Sequence, residues 1–198
     1  MWIVPEPFES DRLLFEPLSM DHADELFKTA PYDTFEYWGN FQPADASFEA
    51  FSRFLEQKLA LTDAVSYVVR DKTSQEVVAK SSMMEIRPGA RGFEIGMTWI
   101  SPQHRGTWVN PAKKLAMLTR GFDHNEAVRI QLKTDAGNLR SRRAIEKIGG
   151  QFEGILRAHR VRPNGEVRDT AMYSITNAEW PGVKKLLQER LEALCRNA

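Results

Sequence analysis

Between residues 47 and 61 the larger apolar side chains fall at Phe48, Phe51, Phe54, Leu55 and Leu59. A spacing of three and four lays them along one face of a helix, and Ser47 is a suitable cap for its start. An earlier helix is predicted over Asp21 to Thr29, with Ala23, Leu26 and Phe27 on one face and Ser19 as a candidate cap. Before it, Arg12 to Leu18 reads as a short strand. The two helices are joined by an aromatic loop, Tyr32 through Phe41, that contains Phe35, Tyr37 and Trp38. From Val65 the period changes to that of strands, at Ser66–Val69, at Val77–Ala79 continuing to Ile86, and at Phe93–Ile100. Pro88-Gly89 marks a turn between antiparallel neighbours.

Further elements follow in regular alternation: a helix from Asn110, a strand Val128 to Thr134, a helix Leu139 to Ile148, and a strand Phe152 to Val161. After a turn at Asn164-Gly165 come a last strand, Arg168 to Ile175, and a last helix, Ala178 to about Leu194. The order β-α-α-β-β-β-α-β-α-β-β-α predicts an α/β fold, a central mixed sheet of about seven strands with helices on both faces. Its parallel portion should lie around the strand–helix–strand unit at residues 93–134.

Length and composition narrow the class. A chain of 198 residues fits one domain with a sizeable core and no need of disulfides. Its 27 basic and 27 acidic side chains cancel, which argues against a general nucleic-acid binder. The lone cysteine, Cys195, excludes an intramolecular disulfide and fits a reducing compartment. No signal peptide is legible at the start, and no run approaches the roughly 18 apolar residues of a membrane span. These features predict a soluble, cytoplasmic protein. Metal chemistry finds no support, because His22, His104, His124 and His159 show no paired ligand spacing.

Two segments carry candidate chemistry. In Ser101-Pro102-Gln103-His104-Arg105-Gly106-Thr107-Trp108-Val109-Asn110-Pro111, a proline ends a strand and a glycine-containing turn leads into a helix. Asn110 is the expected cap and Pro111 the expected first helical residue. Such a turn aims backbone N–H groups and the positive helix end at one point, where an anion such as a pyrophosphate belongs. A plain strand-to-helix connection reads the same way. The second segment runs from Thr134 to Gly150 and joins a strand to a helix that stops at Gly149-Gly150. In it Asn138 and Ser141 lie one turn apart near the helix start, with Arg140, Arg142 and Arg143 adding positive charge.

In this order and spacing the two segments resemble the acyl-CoA-binding motifs of the GNAT acetyltransferases, most closely the RimJ/RimL type. The resemblance takes in LLFEPLS (Leu13 to Ser19), EIGMTWISP (Glu94 to Pro102), RGTWVNPAKK (Arg105 to Lys114) and LKTDAGNLRSRRAIEKIG (Leu132 to Gly149). It continues through EGILRAH (Glu153 to His159) to YSITNAEWP (Tyr173 to Pro181). It implies a single N-acetyltransferase domain over residues 1–198, acting in a ternary complex on acetyl-CoA and a primary amine, either a protein N-terminal α-amine or a small molecule. It further implies no metal, no nucleic acid or membrane partner, and leaves a homodimer open.

By the same resemblance, Trp99 and Ile100 offer backbone to the pantetheine arm where two strands splay apart. Gln103-His104-Arg105-Gly106-Thr107-Trp108 stands as the phosphate loop, although Trp108 occupies the place of a small residue in the family; Arg105, Gly106, Thr107, Trp108 and Asn110 are the cofactor-binding candidates there. Asn138 bonds the pantetheine region, and Arg142 or Arg143 meets the 3′-phosphate. The tyrosine that often serves as acid in this family is replaced by Ile145, so Ser141 becomes the candidate acid. Glu94 is the first candidate base and His159 the second, on the acceptor side. Tyr37 and Trp38 are candidate acceptor contacts. A degenerate module that binds or senses acyl-CoA without turnover is the alternative reading. A nicotinamide-binding fold lacks its glycine fingerprint here, and a P-loop is also absent.

Overall fold

The computed structural model describes residues 2–38, 42–162 and 164–196. Eight strands form one sheet in the order β1-β2-β3-β4-β5-β6-β8-β7. They are β1 (Phe8–Glu9), β2 (Leu13–Pro17), β3 (Val65–Asp71), β4 (Val77–Arg87), β5 (Gly92–Ile100), β6 (Arg129–Asp135), β7 (Gln151–Val161) and β8 (Val167–Thr176). Every neighbouring pair is antiparallel except β5 and β6, which run parallel around the expected strand–helix–strand unit. The strand beyond the expected seven is the two-residue β1, too short to leave a periodic signal. Its Phe8 stacks on Phe15 of β2, with ring centroids 4.3 Å apart.

Helices cover both faces. On one lie α1 (Ala23–Thr29) and α2 (Phe48–Leu59), where Leu26, Phe51, Phe54 and Leu55 pack against Val68, Val77 and Trp99. Ser47 caps α2, its Oγ accepting from the Ala50 amide at 3.1 Å. Phe48 and Leu59, at the two ends of the predicted stripe, are about two-fifths exposed, because only the central turns of α2 meet the sheet. The stretch read as the first helical turn, Met20–His22, is a 3-10 turn ahead of α1. Phe41, at the end of the aromatic loop, lies outside the described residues.

The opposite face holds the larger core. There α3 (Val109–Thr119), α4 (Leu139–Glu146) and α5 (Trp180–Arg196) bury Val109, Met117, Ile145, Val183 and Leu187 against Phe15, Phe93, Ile130 and Tyr173. A single π-helical turn, Arg120–His124, extends α3 and stacks Phe122 on Trp180. α4 stops where Gly149 adopts φ +90° and the amides of Gly149 and Gly150 return to Glu146 and Ile145 carbonyls. Among the described residues no helix is long and apolar enough to cross a membrane.

Candidate active site

The parallel pairing of β5 with β6 extends over three positions only: Gly92 with Arg129, Phe93 with Ile130, and Glu94 with Gln131. Past that seam the two strands separate, and a bulge in β5 accounts for the departure. Lys80 of β4 pairs with Trp99 and Ser82 with Gly96, so Met97 and Thr98 together face Ser81. Met97 takes the left-handed conformation, φ 44°, that such an extra residue requires. The bulge is pinned by a 2.6 Å bond between the hydroxyls of Ser81 and Thr98. Lys80 adds donation from Nζ to Ser82 Oγ at 2.7 Å and to the Met97 carbonyl at 3.4 Å. At Gly96 a Cβ would sit 2.5 Å from Glu94 Oε1 and 2.8 Å from Met84 Sδ, so any larger residue displaces those two side chains. The edge of β5 from Met97 to Ile100 therefore faces a cleft of about 420 Å³ in place of a strand.

At one end of the cleft is the turn into α3. Gly106 has φ +80°, which favours glycine, with open space where a Cβ would stand. The amides of Gly106, Thr107 and Trp108 donate to none of the described residues. The helix begins at Val109 with Trp108 as its cap residue, so Asn110 and Pro111 are its second and third residues. This corrects the cap read from Asn110-Pro111. Thr107 supplies the side chain instead, its Oγ1 donating to the His104 carbonyl and accepting from the Val109 amide. Proline fits as readily at the third position, where its missing N–H would also lack an intrahelical partner. The Trp108 indole lies outside the cleft, in a cation–π contact with Arg12 at 5.1 Å and against the larger core. Its backbone is thus presented without its ring.

Arg105 reaches across the mouth, donating to the Ile100 carbonyl at 3.2 Å and to Thr34 Oγ1 at 2.9 Å. It ties the turn to the aromatic loop, whose Thr34, Tyr37 and Trp38 line the same cleft. Trp38 packs on Phe35, Phe54 and Trp99 with centroids 5.1–6.1 Å apart. At the start of α4, Asn138 caps the helix by accepting from the Ser141 amide at 3.0 Å. The Ser141 hydroxyl makes no hydrogen bond to the described residues, and Ile145 lies one turn further along the same wall.

At the seam stands Glu94, only 3% exposed. Burial pushes its carboxyl above the usual range, opposed by Lys133, whose Nζ stands 2.7 Å from Oε2. Lys133 also pairs with Glu85. Lys114, from α3, enters the same cleft, and burial pulls its amine down to about 7, against the pull of Glu94. Burial and the charges of Arg160, Lys133 and Arg168 hold His159 below the ordinary imidazole value. Its Nδ1 is buried without a partner.

Of the candidates read from sequence, Ser141, Glu94, Trp99, Ile100, Arg105, Gly106, Asn110, Asn138, Tyr37 and Trp38 line this one cleft. Thr107, Trp108, Arg143 and His159 do not. Arg142 is held away, donating to Tyr173 Oη at 3.0 Å and lying over the Phe152 ring at 5.3 Å. The cleft also gathers Lys114, Lys133, Arg140, Arg160 and Arg168, of which only Arg140 carried any sequence-based expectation.

A family profile described as an acetyltransferase (GNAT) domain matches residues 12–151. A curated Bacillus subtilis (strain 168) protein described as "Putative ribosomal N-acetyltransferase YdaF" is 33% identical over 94 residues. That match takes in 48% of this chain and 50% of YdaF, so the chain spans about half the length of that relative. A solved GCN5-related N-acetyltransferase from Brucella melitensis superposes with a TM-score of 0.88 at 29% identity, over 96% of this chain and 87% of that one. A spermidine N-acetyltransferase from Vibrio cholerae, solved with CoA and spermine, shares the fold at 19% identity. Its TM-score is 0.70, over 86% of this chain and 99% of that one.

Proposed function

The chain belongs to the GNAT acetyltransferase family, and on that premise we propose that it transfers the acetyl group of acetyl-CoA to a primary amine in a ternary complex. The observation that carries the proposal is the opened sheet. A free strand edge from Met97 to Ile100 leads to three uncommitted amides at a positive-φ glycine, where α3 begins. A pantetheine arm can take the place of the missing strand, and a pyrophosphate the place of the missing acceptors. Arg140 adds a cation beside that end, and Asn138 retains its side-chain N–H groups for the arm. With Trp108 turned into the core, its bulk does not obstruct the phosphates, which removes one motive for reading the chain as a non-catalytic module.

The chain's residues then divide the proton work. Attack on the thioester carbonyl needs the amine neutral, so its ammonium proton must leave first. Glu94 takes that proton, directly or through water; burial gives it a higher affinity for protons than an ordinary carboxylate. The new C–N bond forms as the C–S bond breaks; the Ser141 hydroxyl gives a proton to the departing thiolate and recovers one, the second proton that the nitrogen sheds on becoming an amide. Acceptors differ widely between relatives, since one is named for ribosomal protein and another for spermidine. A protein N-terminal α-amine, with an ordinary pKa of about 7.7–8.0, asks less of a base than a lysine at about 10.4.

A thermal-shift titration with acetyl-CoA tests the donor, with NAD and ATP as controls. Ligand at about 100 times Kd stabilises by about 2.7 kcal/mol, which raises Tm by roughly 5–11 °C for a domain of this size. Folded protein showing no selective shift overturns the proposal. A shift followed by amine-dependent release of CoA thiol supports it.

A further inference from the structure

We infer that the acceptor is an anionic primary amine, whose carboxylate is held by Arg168 and Arg160; this rests on the acetyl-transfer reading above. Register places these arginines. Ile130 and Leu132 of β6 enter the larger core, so Gln131, Lys133 and Asp135 face the other side of the sheet. Across the ladder Asp135 pairs with Thr170, and Arg168, two residues earlier on β8, faces the same way opposite Arg160 of β7. Glu94, paired with Gln131, looks onto this side too. Helices α1 and α2 cover only the β3–β5 portion of it. Arg160 and Arg168 line the cleft there, on the face opposite α3 and α4, whose N-termini form the proposed phosphate end.

Arg168 is incompletely satisfied where it stands. Its side chain is 12% exposed, and its Nε and Nη1 are buried with no hydrogen-bond partner. The nearest carboxylate oxygen, Asp135 Oδ2, is 3.5 Å from Nη1 and already accepts from Arg162 Nη2 at 2.6 Å. The other oxygen of Asp135 accepts from the Gly137 amide at 2.9 Å. Arg160 is engaged already, pairing with Glu85 at 3.9 Å beside Lys133, so the unmet N–H groups are those of Arg168. An arginine stays charged at any working pH, and a buried guanidinium with vacant N–H groups is costly unless a ligand completes it.

The vacancy is also local. Ten side-chain N and O atoms among the described residues are buried without a hydrogen-bond partner, ion pairs such as Glu94–Lys133 aside, and five belong to His159, Arg162, Arg168 and Thr170 on the β7–β8 hairpin. Four of the five are nitrogens that can donate, and the fifth is a hydroxyl that can. Around Glu94 the cleft is lined by Lys114, Lys133, Arg160 and Arg168 against two carboxylates, Glu94 and Asp135. A polyamine finds too few anions here. An amine with a carboxylate some bonds away finds a base at one end and a planar N–H fork at the other.

The test uses the whole chain with saturating acetyl-CoA and follows CoA thiol release. The acceptors come in matched pairs: glycyl-glutamate against glycyl-glutamine as a stand-in for an acidic N-terminus, and an ω-amino acid against a diamine of equal length. Spermidine completes the set. Whichever pair is used better identifies the source of the carboxylate. The anionic member should show a kcat/KM about tenfold to a hundredfold higher, the range expected of a charge-assisted bond. Arg168→Gln should raise KM for that member to the level of its neutral mate while leaving the acetyl-CoA thermal shift unchanged, and Arg168→Lys should restore part of the difference. Equal rates within both pairs, a preference for spermidine, or no turnover of any anionic amine overturns the inference. So does loss of the acetyl-CoA shift in Arg168→Gln, which would assign the arginine to the donor. The wild-type pairs stand even if the variants fail to fold, and the wild-type thermal shift shows separately whether the donor reading survives.

Discussion

Replacing Lys80 with methionine removes an ammonium from a fully buried position while keeping nearly the same length and volume. Burial, with Lys58 nearby, pulls the Lys80 amine from its ordinary 10.5 down to about 7. Each tenfold change in proton affinity is worth about 1.4 kcal/mol, so relative to the unfolded chain the fold disfavours the protonated amine by about 5 kcal/mol. Against that, the methionine gives up donation to Ser82 and to the Met97 carbonyl, at about 1 kcal/mol each. Ser82 is not orphaned by the change, because its hydroxyl is also 2.8 Å from Ser66 Oγ. Lys80→Met should therefore be more stable at pH 7 by about 2–3 kcal/mol, or roughly 4–12 °C in Tm. Between pH 7 and 10.5 the unfolded lysine is protonated and the folded one neutral, so the unfolded wild type binds the extra proton. Wild-type stability then rises with pH by up to about 1.4 kcal/mol per unit from this one group. The variant lacks that component, and its advantage should nearly vanish by pH 9. Lys113 and Lys114, also buried, contribute their own slopes equally to both proteins. Urea melts of both proteins at pH 7, 8 and 9 read this directly. No advantage at pH 7, or one that stays constant to pH 9, refutes the reasoning.

Two further perturbations address the catalytic wall and its support. Ser141→Ala should lower turnover with little loss of acetyl-CoA binding, because the Asn138 cap bonds the Ser141 amide and survives the change; unchanged kcat at saturating acceptor removes Ser141 from the acid role. Gly149→Ala should destabilise by about 2–4 kcal/mol, combining a left-handed alanine with a Cβ 2.8 Å from Val183 Cγ2 on α5, and a chemical melt within about 0.5 kcal/mol of wild type would contradict it.

Local patterning made most of the frame legible. The stripe Phe51, Phe54 and Leu55 and the cap at Ser47 located α2, and the strand runs were found to within a residue or two. What failed was decided by side chains whose surroundings a pattern does not show. Asn110-Pro111 is a persuasive helix start read alone, but the hydroxyl of Thr107 reaches the turn first. The buried lysines were passed over, since a hydropathy pattern reads a lysine as solvated, and only the packing of α3 and β4 shows otherwise. Arg160 and Arg168 were invisible for a similar reason. Two bulges shift the β7–β8 register, at Phe152/Gly154 and at Leu156/Arg160, and that shift decides which side chains share a face. The segments read as the donor end are contiguous in the chain, which is why they could be singled out from it. Lys133, Arg160 and Arg168 could not, because the sheet brings them to Glu94 from three other strands.

The three-position seam between β5 and β6 also bears on how such a protein diversifies. On the proposed reading, what meets the donor hangs from β5 and the starts of α3 and α4, around that narrow join. The aromatic loop and the β7–β8 hairpin lie at the margins, where insertions and exchanges leave the join intact. Inheritance can hold the first set fixed to a common donor while the second set drifts from one acceptor to another. On that division a change of acceptor would be written at the borders of the sheet and would leave its middle as it was.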